Sequence, residues 1–203
     1  MLKLDYNIIS RDWKEKMKSL SEEQRKLIDA PIGKENLLLL KKSKDSIKTG
    51  DVFVLSFKEG LYFYGKVLEA NVKHEKNSWI NGCHVVFIFR NKSHEKNLNE
   101  FNPDYNNLLC GPAILTSGYW ENGWFETIGN ISLTTEEKKL DYGFFDMDSL
   151  KGYGTFQKAN GDLLKHIPKI YGSSGIKTYV GIYMAVKDET IIDPTLLEEN
   201  EME

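Results

Sequence analysis

Apolar positions recur at helical spacing in the first part of the chain and at strand spacing from Gly50 onward. Ser10 is placed to cap a helix in which Trp13, Met17 and Leu20 share one face, with Trp13 as a packing anchor. Ser21-Glu-Glu-Gln24 has the capping-box pattern of a second short helix that turns Leu27 and Ile28 inward, and Pro31 and Gly33 punctuate its end. Residues 37–40 are apolar but too few to separate helix from strand, and 41–48 read as a polar linker. The segment 49–68 then predicts a tight β-hairpin. Val52, Val54 and Ser56 line one face of its first strand and Phe53, Leu55 and Phe57 the other, with a turn at Lys58-Glu59-Gly60 where glycine makes positive φ cheap.

Residues 83–89 form a near-continuous β-branched and aromatic run, the pattern of a strand buried on both faces. A long polar loop follows over 90–107. An apolar stretch over 108–117 suggests a strand after a turn at Gly111-Pro112. Residues 124–128 read as another short strand, ended by Gly129-Asn130, and Thr134 or Thr135 can cap an acidic turn at Glu136-Glu137. Short strands are predicted at 144–146 and 152–156, a helical turn at 162–167 and a long final strand at 178–186, with Pro194 starting the exit. No internal repeat is visible.

With 203 residues, 40% of them hydrophobic, one domain with appendages is the natural organisation. No apolar run is long enough to span a bilayer, and no signal-peptide pattern follows Met1, so a cytosolic location is expected. Cys83 and Cys110 both have apolar neighbours and read as buried thiols rather than a disulfide. Charge is uneven. Residues 1–48 hold 12 Lys and Arg against 8 Asp and Glu, whereas 187–203 hold one Lys against seven acids. The total of −3 argues against a dedicated nucleic-acid binder. The acidic end, 196–203, reads as a solvated tail.

Catalytic and metal-binding patterns are weak. His74, His84, His94 and His166 form no HxH or HExxH spacing, and adjacent Cys83 and His84 on a strand point to opposite faces, so no metal site is expected. A Cys or Ser nucleophile with a distant His84 or His166 is a remaining hydrolase reading, with Cys110 as its candidate thiol. The glycine-rich stretches at 152–156 and 171–175 lack the ending of a phosphate loop. Asp141, Asp146 and Asp148 are close in sequence and suit a loop of solvated acids. In Tyr119-Trp-Glu-Asn-Gly-Trp-Phe125, the Asn122-Gly123 pair signals a hairpin that would set Trp120 against Trp124 across two strands. Two readings of that pair stand side by side. One is a packed aromatic pair. The other is an exposed anchor for a partner, flanked by Glu121 and Glu126.

Three stretches together resemble the immunity protein 26 family of bacterial polymorphic toxin systems. They are Lys48-Thr-Gly-Asp-Val-Phe-Val-Leu with Gly65-Lys-Val-Leu, the run 85–89, and Trp124-Phe-Glu-Thr-Ile-Gly-Asn130. The resemblance covers roughly 48–190. It implies a cytosolic antitoxin that binds a cognate protein toxin, such as a basic nuclease, with no catalytic residues and no cofactor. The alternatives are a recognition module on an SH3-like barrel, binding protein or nucleic acid, and the Cys/His hydrolase above. The expected fold is α+β: N-terminal helices on a strongly bent antiparallel sheet or partial SH3-like barrel. Residues 1–45 would form a helical extension, 46–195 the β-rich domain and 196–203 the acidic tail. Candidate partner-binding residues are Trp120, Glu121, Trp124, Glu126, Asp146 and Asp148.

Overall fold

The computed structural model describes residues 18–29, 37–73, 80–140, 142–146, 151–154 and 175–192. The Trp13 helix, the 162–167 turn, His74, His166, Asp141, Asp148 and the acidic tail lie outside the described residues.

Helix α1, Glu22–Asp29, starts at the predicted capping box: Gln24 N donates to Ser21 Oγ at 3.1 Å, and Ser21 N donates to Gln24 Oε1 at 3.0 Å. Strands β1, Asp51–Lys58, and β2, Leu61–Glu69, form the predicted hairpin around Gly60 at φ +75°. The ladder is irregular between Leu55 and Lys58, where the Ser56 hydroxyl donates to Leu61 O and accepts from Lys58 N. Strand β3, His84–Ser93, pairs with β2, and β4, Leu108–Leu115, pairs with β3. A single helical turn α2, Gly118–Glu121, leads to β5, Glu126–Asn130, which returns to β1. The sheet order is β4-β3-β2-β1-β5, with every pairing antiparallel. Strands β6, Gly143–Asp146, and β7, Lys151–Gly154, make a separate ribbon, and helix α3, Gly175–Ile192, completes the described elements. The edge strands β4 and β5 do not pair, so the sheet is open and the SH3-like barrel is not formed.

Both faces of the sheet are covered, which explains why the strands read as continuous apolar runs. On one face Phe53, Leu55, Phe63, Val86 and Ile88 pack with Ile182, Tyr183 and Val186 of α3. On the other, Phe87 and Phe89 pack under Tyr105 and Leu140 from the loops after β3 and β5. The predicted faces of β1 are found: Val52 and Val54 join Tyr64 on the loop side, and Phe53 and Leu55 lie on the helix side. The loop layer is tied down by a buried ion pair. Lys66 Nζ lies 2.9 Å from both carboxylate oxygens of Glu137, and the Tyr105 hydroxyl donates to Glu137 Oε1 at 2.6 Å. Glu137 also bonds reciprocally with Thr134, one of the two residues expected to cap this turn, accepting from Thr134 N while its own N donates to Thr134 Oγ1. Burial pushes the Glu137 carboxyl up, but the Tyr105, Lys66 and Thr134 hydrogen bonds outweigh it and hold the group below its usual range.

Three local expectations are corrected. Residues 178–186 are helical, not a strand. Their β-branched and aromatic content mimics a strand, but Ile182, Ala185, Val186 and Glu189 follow helical spacing and are buried. Packing on the sheet overrides the local preference. Glu189 Oε2 takes Arg90 Nε of β3 at 3.2 Å, and Gln24 of α1 donates to Ile191 O, so α3 is held from two sides. Second, Gly111-Pro112 sits inside β4 rather than before it. The register shifts between Val86 and Ile88 there, and a proline fits because β4 is an edge strand. Third, Asn122-Gly123 does not make a hairpin. Among the described residues, no helix is long and apolar enough to cross a membrane.

Candidate functional site

Asn122-Gly123 ends the α2 turn instead of joining two strands. Asn122 N donates to Gly118 O at 2.9 Å, and Gly123 takes φ +83° beyond the helix end. Trp124 N and Phe125 N both donate to Tyr119 O, which turns the chain sharply into β5. The aromatics therefore separate. Phe125 stacks on Phe53 at 4.6 Å, and Trp120 meets both rings edge-on at 5.2 Å. Trp120 is 3% exposed and its Nε1 donates to Thr127 Oγ1 at 3.0 Å, so it is a core residue with no exposed anchor face. Trp124 is half-buried, with its ring edge-on to Tyr119 at 5.8 Å. Glu121 is exposed, and Glu126 accepts from Lys96 Nζ at 2.7 Å. Trp120 and Trp124 do not face each other across strands. Asp146 sits on β6, outside this sheet, and Asp148 lies outside the described residues.

The segment 37–48, read from sequence as an ambiguous run and a linker, is an ordered strap beside this turn. Leu38 N donates to Ser56 O, Leu40 N to Gly123 O at 2.7 Å and Ser43 N to Trp120 O at 3.1 Å. Ser43 Oγ and Asp45 close a local turn, and Asp51 Oδ2 accepts from Lys48 N at 2.8 Å. The Lys42 stem lies over Gly123, where a Cβ would come within 3.1 Å of Lys42 Cγ. Between strap and sheet is a cleft of about 230 Å³, floored by Trp120 and Thr127 and walled by Lys41, Ser43, Asp45 and Lys48. Its visible sequence signal was the lysine density of 41–48; its position on the sheet was not readable, because backbone bonds to Ser56, Trp120 and Gly123 set it.

His84 is buried, and Nε2 lies 3.1 Å from Ser117 Oγ. This pair is not poised as base and nucleophile. Nδ1 accepts from Asn71 N at 3.4 Å, which leaves the proton on Nε2, so the imidazole donates to Ser117. Burial lowers the His84 pKa, with Asp51 opposing weakly, so the ring is neutral near pH 7. Burial pushes the Cys83 thiol up, away from a reactive thiolate. In the β3–β4 register Cys110 is opposite Ile88 and Cys83 lies just before His84, opposite the far end of β4, too far apart for a disulfide. No group of three or more His, Cys, Asp or Glu among the described residues could hold a metal ion.

The residues that carried the family resemblance interlock. Gly50, at φ +89°, donates from N to Val67 O and accepts at O from Ile131 N, and a Cβ there would lie 2.7 Å from Ile131 O. Asn130 Nδ2 reaches Asp51 Oδ1 at 2.7 Å. Gly65 lies under the Phe53 ring, where a Cβ would come within 2.2 Å, and Gly129 lies under Leu98. A family model described as Immunity protein 26 matches residues 48–152, just over half of the chain. The chain belongs to the immunity protein 26 family. No curated protein and no solved structure matches it significantly. Within this immunity protein 26 chain the match ends at Gly152 in β7 rather than near residue 190, so α1 and α3 lie outside it. The motif residues fasten β1 to β2 and β5. Their contacts are internal to the fold.

Proposed function

We propose that this chain neutralises a cognate protein toxin by stoichiometric binding in the cytosol, without catalysis or a cofactor. The observation that carries this reading is the immunity protein 26 match over 48–152, which spans all five strands of the main sheet. A sheet buried on both faces, with its family motif spent on internal contacts, supports a rigid scaffold that presents a partner surface. Glu121, Trp124 and Glu126 are the proposed contacts beside the strap, with Trp120 reachable only as the cleft floor. Asp146, Asp148 and the acidic tail would suit a basic surface elsewhere on such a toxin, as on a nuclease.

The test is calorimetric titration of the chain with the product of the adjacent upstream gene, carrying an inactivating substitution. A one-to-one complex of nanomolar or tighter affinity is expected. No heat at micromolar concentrations would overturn the proposal.

A further inference from the structure

Four lysines in eight residues, Lys41, Lys42, Lys44 and Lys48, are exposed on the strap, and among the described residues none of them has an ion-pair partner. Most of the acids around them accept hydrogen bonds, and Glu121 is exposed. Asp51 accepts from Lys48 N and Asn130 Nδ2, Asp45 from Ser43, and Glu126 from Lys96. Only the Glu126 bond is to a charged group, so the four strap lysines stand against Asp45, Asp51 and Glu121 and leave this face with a small positive excess, although the chain as a whole carries −3. Next to the lysines, Leu39 is 64% exposed, the most exposed large hydrophobic side chain among the described residues. It sits one residue from the Leu40 N to Gly123 O hydrogen bond, with half-buried Trp124 one residue beyond that bond on the other side. An apolar pair beside a rim of unpaired charge, next to a cleft of side-chain size, has the anatomy of a protein interface. The strap is also preformed: its hydrogen bonds to Ser56, Gly123 and Trp120 fix its backbone before any partner arrives, which lowers the ordering cost of binding.

We propose that the strap Leu39–Lys48, with Trp124 and the Trp120-floored cleft, is the face that meets the toxin, and that the toxin surface over it is rich in carboxylates. This rests on the toxin-binding reading and adds to it the place of contact and the local chemistry of the partner. Opposite charge over exposed lysines acts mainly on encounter, so the association rate and its salt dependence are the quantities to read.

The experiment compares two charge reversals that change the net charge equally. One is Lys42→Glu with Lys44→Glu on the strap. The other is Lys138→Glu with Lys139→Glu, exposed on the turn that follows β5. Each is mixed in stopped flow with the inactivated toxin at low and high salt. The strap variant is expected to associate at least about tenfold more slowly at low salt, with the gap closing at high salt, and the control within about threefold of the parent. Equal losses in both variants would reduce the effect to overall charge and overturn the proposal. A faster or unchanged strap variant would overturn it too, the faster one pointing to a basic toxin surface here. A parent chain that forms no complex overturns the toxin reading itself, whereas a parent complex with an indifferent strap overturns only this inference. The neutral pair Lys42→Gln with Lys44→Gln, expected to show a smaller loss in the same direction, keeps the test intact should the reversal disturb folding.

Discussion

Trp120 and Trp124 stand four residues apart and end in different environments. Trp120 is wedged against Phe53 and Phe125 with its indole N–H satisfied by Thr127. Removing it leaves a cavity beside the β1–β5 pairing. Trp120→Ala is expected to cost about 3–5 kcal/mol in urea unfolding. Trp124 touches Tyr119 from a half-buried position, so Trp124→Ala is expected to cost only about 1 kcal/mol and yet weaken the toxin complex about tenfold or more. If toxin titration of a folded Trp124→Ala chain matched the parent, Trp124 would not be a contact. The aromatic density of 119–125 was legible in the sequence. The division of labour was not, because Asn-Gly signals a hairpin and a helix end equally well, and Tyr119 O decided it by taking both Trp124 N and Phe125 N.

Elements are joined here by contacts that local patterns only half announce. A threonine cap at 134 or 135 was readable from the sequence, but Glu137 of that turn serves a second purpose, meeting Lys66 in the middle of β2 across 71 positions of sequence. Lys66 is 2% exposed, so the pair is held away from water and each charge depends on the other. Lys66→Met leaves the Glu137 carboxylate facing only Tyr105 and Thr134, and is expected to cost about 3–5 kcal/mol. Adding Glu137→Gln, which keeps a partner for the Tyr105 hydroxyl, should restore much of that loss. Urea unfolding of the single and double variants reads it, and additive losses would show that the two charges are not coupled. The hairpin, the β3 run and the short β6–β7 ribbon followed from period and turn chemistry. Helix α3 did not, since Thr178, Tyr179, Val180 and Ile182 favour a strand in sequence, and the packing of Ile182, Tyr183, Ala185 and Val186 on the sheet selects the helix.

At the scale of the whole molecule, two buried groups make folding sensitive to acid. The His84 pKa is lowered in the folded chain, so the unfolded chain takes up the proton first as pH falls below about 6.5, and stability drops. Glu137 is also lowered, so its contribution is complete above about pH 4.5 and is lost as pH falls toward its folded value. Both act in the same direction. Denaturation midpoints should decline from pH 7.5 to 5.5, and the decline should be shallower in His84→Gln, which has no imidazole to titrate at that position. An identical slope in the variant would assign the loss to other groups. Overall charge was legible from composition and the lysine density of 41–48 from the sequence, but the place of those lysines on the molecule was not, because the strap's bonds to Ser56, Trp120 and Gly123 set it.

The return of β5 to β1 has a consequence for the order in which this protein assembles. Strands β1 to β4 form a meander of neighbours, each closing a modest loop, whereas β5 must come back across some seventy residues to reach β1. Its docking is the entropically costlier closure, which favours its completing the sheet last. The strap bonds to Gly123 and Trp120, and the cleft uses Glu126 and Thr127, so this face exists only once that closure is made. A partly folded chain would then carry its lysines without the surface that arranges them, and protection against a toxin would be reserved for molecules that have finished folding.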